Sequence, residues 1–338
     1  MMAKHRVAVL GAGAWGLTLA NLLAGNDCHV KVWGYNSAWL DFLRRERVPA
    51  TPPGLRMRNS VDFEPDFSSA AGWAEAIVSV VPSFAVRSMC ERLRGAPRGL
   101  DSRLFIGCSK GIEERTLLLP SQIFEEFFGA DSMNCYAVLS GPSHAEEVCQ
   151  GIPTVVVSAS RNPGAAEQTR DLFMSPAFRV YTQQDVKGVE LGGALKNVLA
   201  IAAGMCDGLG FGDNAKAALI TRGLAEIARA AVTMGAEAQT LSGLAGLGAL
   251  VVTAMSRHSR NRLFGELLAR GRSVEQALSE VGAVVEGYRT SQSAHDLAQR
   301  IGIDMPLCGA VYAVTHKGLA VEAARDMLLS RDPKPEIY

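Results

Sequence analysis

Within the stretch Val189 to Gly223, VELGGALKNVLAIAAGMCDGLGFGDNAKAALITRG, Lys196 stands on a helical segment that is otherwise almost wholly apolar or small. Asn197 follows it. Lysine is among the residues least often fully buried, so a lysine there needs a partner or a task. A desolvated ammonium also loses proton affinity, which suits it to proton transfer. A lysine snorkelling from a packed helix is the plainer alternative for this residue taken alone.

A second motif lies near the amino terminus. Gly11-Ala12-Gly13-Ala14-Trp15-Gly16 follows an apolar strand and opens a helical pattern. Gly11 permits a tight turn, Gly13 lets backbone approach a pyrophosphate, and Gly16 lets the helix pack closely on a sheet. The helix N-terminus adds amides and a dipole that favour an anion. The next strand ends at Trp33-Gly34-Tyr35-Asn36, without the Asp or Glu that an NAD-selective site typically places there. The residues expected to contact a dinucleotide here are Gly11, Gly13, Ala14, Trp15, Gly16 and Tyr35. The missing acid leans the cofactor towards NADP, with NAD or dual use open. Arg44, Arg45 and Arg47 follow, and they suit a solvated helix end better than a ribose phosphate.

The elements needed to hold these motifs fall into two halves. As far as about Tyr181, short β-branched runs alternate with helical segments. Strands are expected at Arg6–Gly11, His29–Trp33, Ala76–Val81, Arg103–Cys108, Tyr136–Ser140 and Thr154–Ser158, with Phe178–Tyr181 as a last one. Several lack strict alternation, as strands covered on both faces should. This is an α/β pattern: a doubly wound parallel sheet of Rossmann type. From about Asp185 the periodicity is helical, through Val186–Cys206, Asn214–Met234, Arg260–Ala269, Ser273–Val281, Gly287–Ile301 and Met305–His316. Ser273 with Gln276 suggests a capping box, and Asp213 with Asn214 a helix cap. The expected domains are therefore 1–185, binding the dinucleotide, and 186–338, all-helical and binding the substrate. The tail from Arg331 is expected to be loose.

Composition narrows the function classes. Of 338 residues, 34 are Lys or Arg and 34 are Asp or Glu, so no long-range field recruits nucleic acid or an anionic membrane. The seven cysteines are scattered without a CxxC, as expected of reduced core residues in a cytoplasmic protein. The six histidines include no HxxxH or HExxH pair, so no metal site is expected. The uncharged run Ala238–Ser256 approaches membrane-spanning length, but its glycines and polar residues and the lack of an aromatic belt argue against insertion.

Nine segments, in order, resemble the bacterial NAD(P)-dependent glycerol-3-phosphate dehydrogenases. They are GAGAWG at 11–16, VPSFAVR at 81–87, SKGIE at 109–113, SGPSHAEEV at 140–148 and ELGGALKNVLAIAAG at 190–204, then GFGDNAKAALITRGLAEI at 210–227, GLAGLG at 243–248, SRNRLFG at 259–265 and VVEGYRT at 284–290. The resemblance implies reversible hydride transfer between NAD(P)H and dihydroxyacetone phosphate, giving sn-glycerol 3-phosphate for glycerophospholipid synthesis. It also implies a C-terminal half folded like that of 6-phosphogluconate dehydrogenase, and a homodimer. By the same likeness Lys196 is the general acid and base, with Lys110 and Asn197 holding the substrate. Gly141 and Ser143 line the pocket, with His144 beside them as a lining residue. Ser259, Arg260 and Asn261 hold the phosphate. Trp15, Lys110, Ala145, Arg260, Val284 and Glu286 contact the cofactor.

The chemistry is consistent with those roles. Negative charge grows on the ketone oxygen as hydride arrives, and an ammonium can stabilise it and donate a proton. Ser-Arg-Asn at a helix start supplies several phosphate donors, with a forked contact from arginine.

One position departs from the family pattern. The family has an aspartate after GLAGLG, near the catalytic lysine and substrate; here Ala249 stands there. Three readings follow. The usual ketone is still reduced, with water or another side chain filling the gap; or the pocket is retuned for a related phosphorylated or phosphonate ketone; or the chain is a weakly active paralogue that binds ligand to sense or scaffold.

Overall fold

The computed structural model describes residues 5–96, 103–333 and 335–336. Eight strands form one sheet: β1 (Arg6–Leu10), β2 (His29–Trp33), β3 (Val61–Phe63), β4 (Ala76–Ser79), β5 (Leu104–Gly107), β6 (Tyr136–Ser140), β7 (Thr154–Ala159) and β8 (Phe178–Gln183). Their order is β3-β2-β1-β4-β5-β6-β7-β8. The order reverses between β1 and β4, and in open α/β sheets ligands bind beyond the carboxyl ends of the strands at such a point. GAGAWG leaves β1 at this position.

Both faces of the sheet are covered. Val7 and Val9 of β1 join one core with Leu17, Leu23, Val30 and Phe173. Ala8 and Leu10 of the same strand join another, with Phe67, Ile77, Phe105 and Phe124. Two-sided burial explains why the strand sequences run apolar rather than alternating.

Two features differ from the sequence expectation. β3 is an additional edge strand; Val-Asp-Phe is too short to carry a readable period. β7 pairs antiparallel with β6, and β8 runs parallel to β7. A parallel return needs a crossover of a dozen or more residues, usually a full helix. Between β6 and β7 only the one-turn helix Ala145–Val148 intervenes, so the chain turns back. The Pro163–Phe173 helix does provide the crossover from β7 to β8.

After Gln183 the described chain is helical. The Val186–Gly208 helix runs through the centre, and Asp185 caps it by accepting from the Gly188 amide at 2.8 Å. It is apolar nearly all round, which suits a helix packed on every side. It is long and apolar enough to cross a membrane by length and composition, yet 94% of that window is buried inside the protein. The helices Asp213–Thr233, Arg260–Ala269, Glu286–Ile301 and Pro306–Lys317 share its core. At Gly204 the Arg260–Ala269 helix crosses so closely that a Cβ would lie 1.8 Å from the Arg262 carbonyl oxygen.

The uncharged run is broken into a short helix Ala238–Leu241, a π-helical turn Leu244–Gly248 and the helix Ala249–Met255. The Ser273–Gln276 capping box is present. Asp213, by contrast, is the first helical residue; Gly212 occupies the cap position and no side chain bonds there. In the tail, Arg331 pairs with Asp304 at 2.5 Å, while Lys334, Ile337 and Tyr338 lie outside the described residues.

Candidate active site

The glycine turn has the form that an anion cradle requires. Gly11 sits at φ +132, and its amide donates to the Trp33 carbonyl at 2.8 Å. A Cβ at Gly16 would lie 1.9 Å from the Gly11 carbonyl oxygen, so only glycine lets the Ala14–Gly25 helix start this close to β1. Gly13 faces open space and caps the helix without a side-chain bond, leaving the first-turn amides free of a side-chain acceptor. Those amides, with no Cβ before them, fit a pyrophosphate. Ala14 and Trp15 begin that helix half-buried. Trp39 donates its indole N–H to the Ala12 carbonyl at 2.9 Å and so braces the turn from the next helix.

Beyond β2, Tyr35 is 93% exposed. The arginines that follow are engaged elsewhere: Arg44 bonds Asp41 and the Phe63 carbonyl, and Arg47 bonds the Val61 carbonyl.

Lys196 lies mid-helix, 7% exposed. Its Nζ donates to Thr253 Oγ1 at 2.5 Å, and the Thr253 hydroxyl donates onward to the Ala249 carbonyl at 2.6 Å. Among the described residues no carboxylate pairs with it. Burial holds its pKa well below the ordinary lysine value, and the charges of Lys110 and Arg260 add to that depression. The Lys110 stem runs along the same helix, its Cγ 3.6 Å from where a Gly193 Cβ would stand. Its Nζ makes a long contact of 3.5 Å with the Gly141 carbonyl, and burial lowers its pKa too. Gly141, Ser143 and Lys110 therefore share one rim, with Ser143 Oγ donating to the same carbonyl at 3.2 Å. Ala145, buried, starts the short helix that follows.

The remaining expected residues come together from three helix starts. Asn261 Nδ2 donates to Asn197 Oδ1 at 3.0 Å, and the Gly287 amide donates to Asn261 Oδ1 at 2.9 Å. Ser259 caps the Arg260–Ala269 helix by accepting from the Arg262 amide at 3.2 Å. Arg260 donates to the Val284 carbonyl at 2.9 Å. Glu286 accepts from the Ser83 amide at 3.2 Å and the Ser83 hydroxyl at 2.6 Å, tying the loop after β4 to the helical half. Burial raises the Glu286 carboxyl pKa, against the Ser83 hydrogen bonds. Ala249 is fully buried at the start of its helix.

Thr253 was not among the residues singled out from sequence. Its signal was a hydroxyl four residues after Ala249, on the same helix face. Two ammonium groups with depressed pKa values, a guanidinium and a free helix N-terminus can hold a phosphorylated, dinucleotide-assisted carbonyl reaction.

Comparison with known proteins identifies the family. Residues 6–166 match the N-terminal region, and residues 185–326 the C-terminal region, of NAD-dependent glycerol-3-phosphate dehydrogenase. The glycerol-3-phosphate dehydrogenase [NAD(P)+] of Prosthecochloris aestuarii is 44% identical over 332 residues, covering 98% of this chain and 99% of that one. Its counterpart in Bacillus velezensis is 45% identical, covering 96% and 94%. The crystal structure of glycerol-3-phosphate dehydrogenase from Coxiella burnetii superposes with a TM-score of 0.92 at 37% identity, covering 97% and 99%. The chain belongs to the NAD(P)-dependent glycerol-3-phosphate dehydrogenase family.

Proposed function

We propose that the protein catalyses the reversible NAD(P)H-dependent reduction of dihydroxyacetone phosphate to sn-glycerol 3-phosphate, supplying glycerophospholipid synthesis. The observation that carries this reading is the buried Lys196, aimed by Thr253 and facing a second cation, beside the serine-capped helix start at Arg260. Sheet residues 1–185 serve the dinucleotide and residues 186–338 the substrate.

The nicotinamide, when bound, supplies the hydride in reduction and takes it back in oxidation. Gly11, Gly13, Ala14, Trp15 and Gly16 hold the dinucleotide phosphates, with Tyr35 at the adenosine end. Lys110, Ala145, Arg260, Val284 and Glu286 complete its binding surface. Lys196 Nζ stabilises negative charge on the carbonyl oxygen and passes it a proton. The hydrogen bond to Thr253 keeps the ammonium aimed through that step. In the reverse direction the depressed pKa makes the neutral amine available to take the alcohol proton. Lys110, Gly141, Ser143 and Asn197 line the substrate, and Ser259, Arg260 and Asn261 receive its phosphate. Asn261 is oriented by Asn197 and Gly287, so it holds the helix start as well.

No acidic residue follows β2, which supports acceptance of NADP with NAD as the second cofactor. Arg44 and Arg47 are engaged elsewhere, so that preference is weak. The family resemblance supports a homodimer. The seven cysteines are free, which supports a reducing, cytoplasmic setting. The lack of a carboxylate on Lys196 beside Ala249 favours a second reading, in which the ketone is a related phosphorylated or phosphonate compound. Steady-state assay with dihydroxyacetone phosphate and each cofactor tests the first reading. Turnover on the order of 1–10³ s⁻¹ supports it; cofactor binding without turnover overturns it and leaves the related ketone or a ligand-binding paralogue.

A further inference from the structure

Arg92 is an exposed cation beside the end of β2, outside the ketone pocket. It lies in the last turn of the Val86–Arg94 helix, which runs back along the sheet after β4. Helical side chains lean towards the helix N-terminus, which carries its stem towards the carboxyl edge of the sheet. The guanidinium carbon lies 4.7 Å from the Trp33 ring centroid and 4.4 Å from that of Phe67. Those two rings meet edge to face at 5.0 Å. Trp33 ends β2 opposite Leu10, the last residue of β1, and Phe67 opens the helix that follows β3. Both rings therefore mark the edge where the glycine turn leaves β1. The Trp33 carbonyl accepts from the Gly11 amide at 2.8 Å, which ties this corner to the cradle.

Among the described residues no acceptor bonds this guanidinium and no carboxylate pairs with it. The acids preceding Phe67 are engaged: Glu64 pairs with Lys31 at 3.5 Å, and Asp66 accepts from the Ser69 amide at 2.6 Å. Glu91, one residue before Arg92, faces another side of the helix. Contact with the rings holds the cation in place, while its N–H donors stay available to a ligand. The same corner has no room for the acid that would hold a ribose 2′-hydroxyl, since a Cβ at Gly34 would lie 2.8 Å from the Ala12 Cβ. NADP differs from NAD by a 2′-phosphate on that ribose, and an arginine near the strand end suits it. The fork of donors matches a phosphate. Arg44 and Arg47 bond Asp41 and backbone carbonyls instead.

We propose that Arg92 is a specificity-determining residue that binds the 2′-phosphate of NADP and sets a preference for NADP over NAD. The proposal rests on dinucleotide binding at the glycine turn and is independent of which ketone is reduced.

The test is binding by the whole protein with no ketone present. Fluorescence titration gives dissociation constants for NADPH and NADH, and calorimetry compares 2′,5′-ADP with 5′-AMP, which differ only in the 2′-phosphate. The unaltered protein is expected to bind the phosphorylated member of each pair more tightly. Arg92→Gln is expected to weaken NADPH and 2′,5′-ADP about tenfold, the worth of a hydrogen bond to a charged group. NADH and 5′-AMP should bind as before, which also shows that the variant is folded. Arg92→Lys keeps the charge without the fork and is expected to restore part of the difference. A role confined to packing on Trp33 and Phe67 would weaken all four probes alike, and that result overturns the proposal. So does an unchanged NADPH affinity in Arg92→Gln, or a preference of the unaltered protein for NADH. Binding of neither dinucleotide by the unaltered protein overturns the cradle assignment and this proposal with it.

Discussion

The cofactor cradle and the ketone pocket are built on opposite principles. The cradle is six consecutive residues, and its binding groups are backbone amides exposed by what is absent: no Cβ at Gly13 and no side-chain cap. The proposed pocket takes side chains from positions as far apart as Lys110, Lys196, Thr253 and Arg260, on four separate segments. Backbone geometry follows from local sequence, so a short motif can specify the cradle. Side-chain convergence follows from tertiary packing, so each pocket residue taken singly has an ordinary explanation. Two carboxylates join the sheet half to the helical half: Glu286 accepts from Ser83, and Glu190 accepts from the Ser121 amide at 3.0 Å and Tyr136 hydroxyl at 2.8 Å.

The largest expected effect separates the two regions outright. Lys196→Ala should lower kcat by roughly 10³–10⁴-fold, the scale of a lost acid-base group with its charge. The dissociation constant for the dinucleotide should stay near its original value. Retained turnover by this variant would remove the pocket assignment altogether.

Gly16→Ala attacks the cradle instead. The new Cβ meets the Gly11 carbonyl oxygen, so the helix must back away from β1. Loss of stability by about 1–3 kcal/mol is expected, the usual cost of overpacking, together with weaker dinucleotide binding. Thermal melting and cofactor fluorescence titration read the two effects. An unaffected dinucleotide affinity would mean that the turn is only a structural joint.

Ala249→Asp probes the junction where the pocket lacks its anion. A carboxylate near Lys196 favours the ammonium and raises its pKa. Ketone reduction needs the ammonium, so the fall of kcat at high pH should move to higher pH by about one unit. A profile that does not move would put the Ala249 side chain outside the reach of Lys196.

The smallest effect concerns the joint between the regions. Burial pushes the Glu190 carboxyl up to about 7, from an ordinary 4.5. The folded state therefore holds a proton that the unfolded state has released between those values. Stability from this group is present in full below pH 4.5 and is lost as pH rises through 7. Glu190→Gln should flatten that decline, by at most about 1.4 kcal/mol per pH unit. Melting temperature followed from pH 5 to 8 measures it. An unchanged slope would assign the decline to other groups, among them Glu226, which burial also raises to about 7.

Much of this was legible in the chain. GAGAWG, the apolar strands and the helical periodicity beyond Asp185 reflect short-range rules of glycine sterics and side-chain spacing. Lys196 stood out because an ammonium among apolar residues conflicts with solvation. The antiparallel turn-back at β7 was not legible, since it depends on the connection from β6 holding only a one-turn helix. Thr253 was hidden because a threonine on an apolar helix is unremarkable until a lysine is found 2.5 Å away.

The sequence by itself determined the order of strands followed by helices, the glycine turn after β1 and the presence of a lysine on an apolar helix. Those depend on interactions within a few residues of each other. The tertiary structure decided the partner of that lysine and the joining of Asn197 to Asn261 and Gly287. Each depends on helices distant in sequence meeting at a Gly-lined crossing, and close packing rather than local propensity fixes where their side chains end.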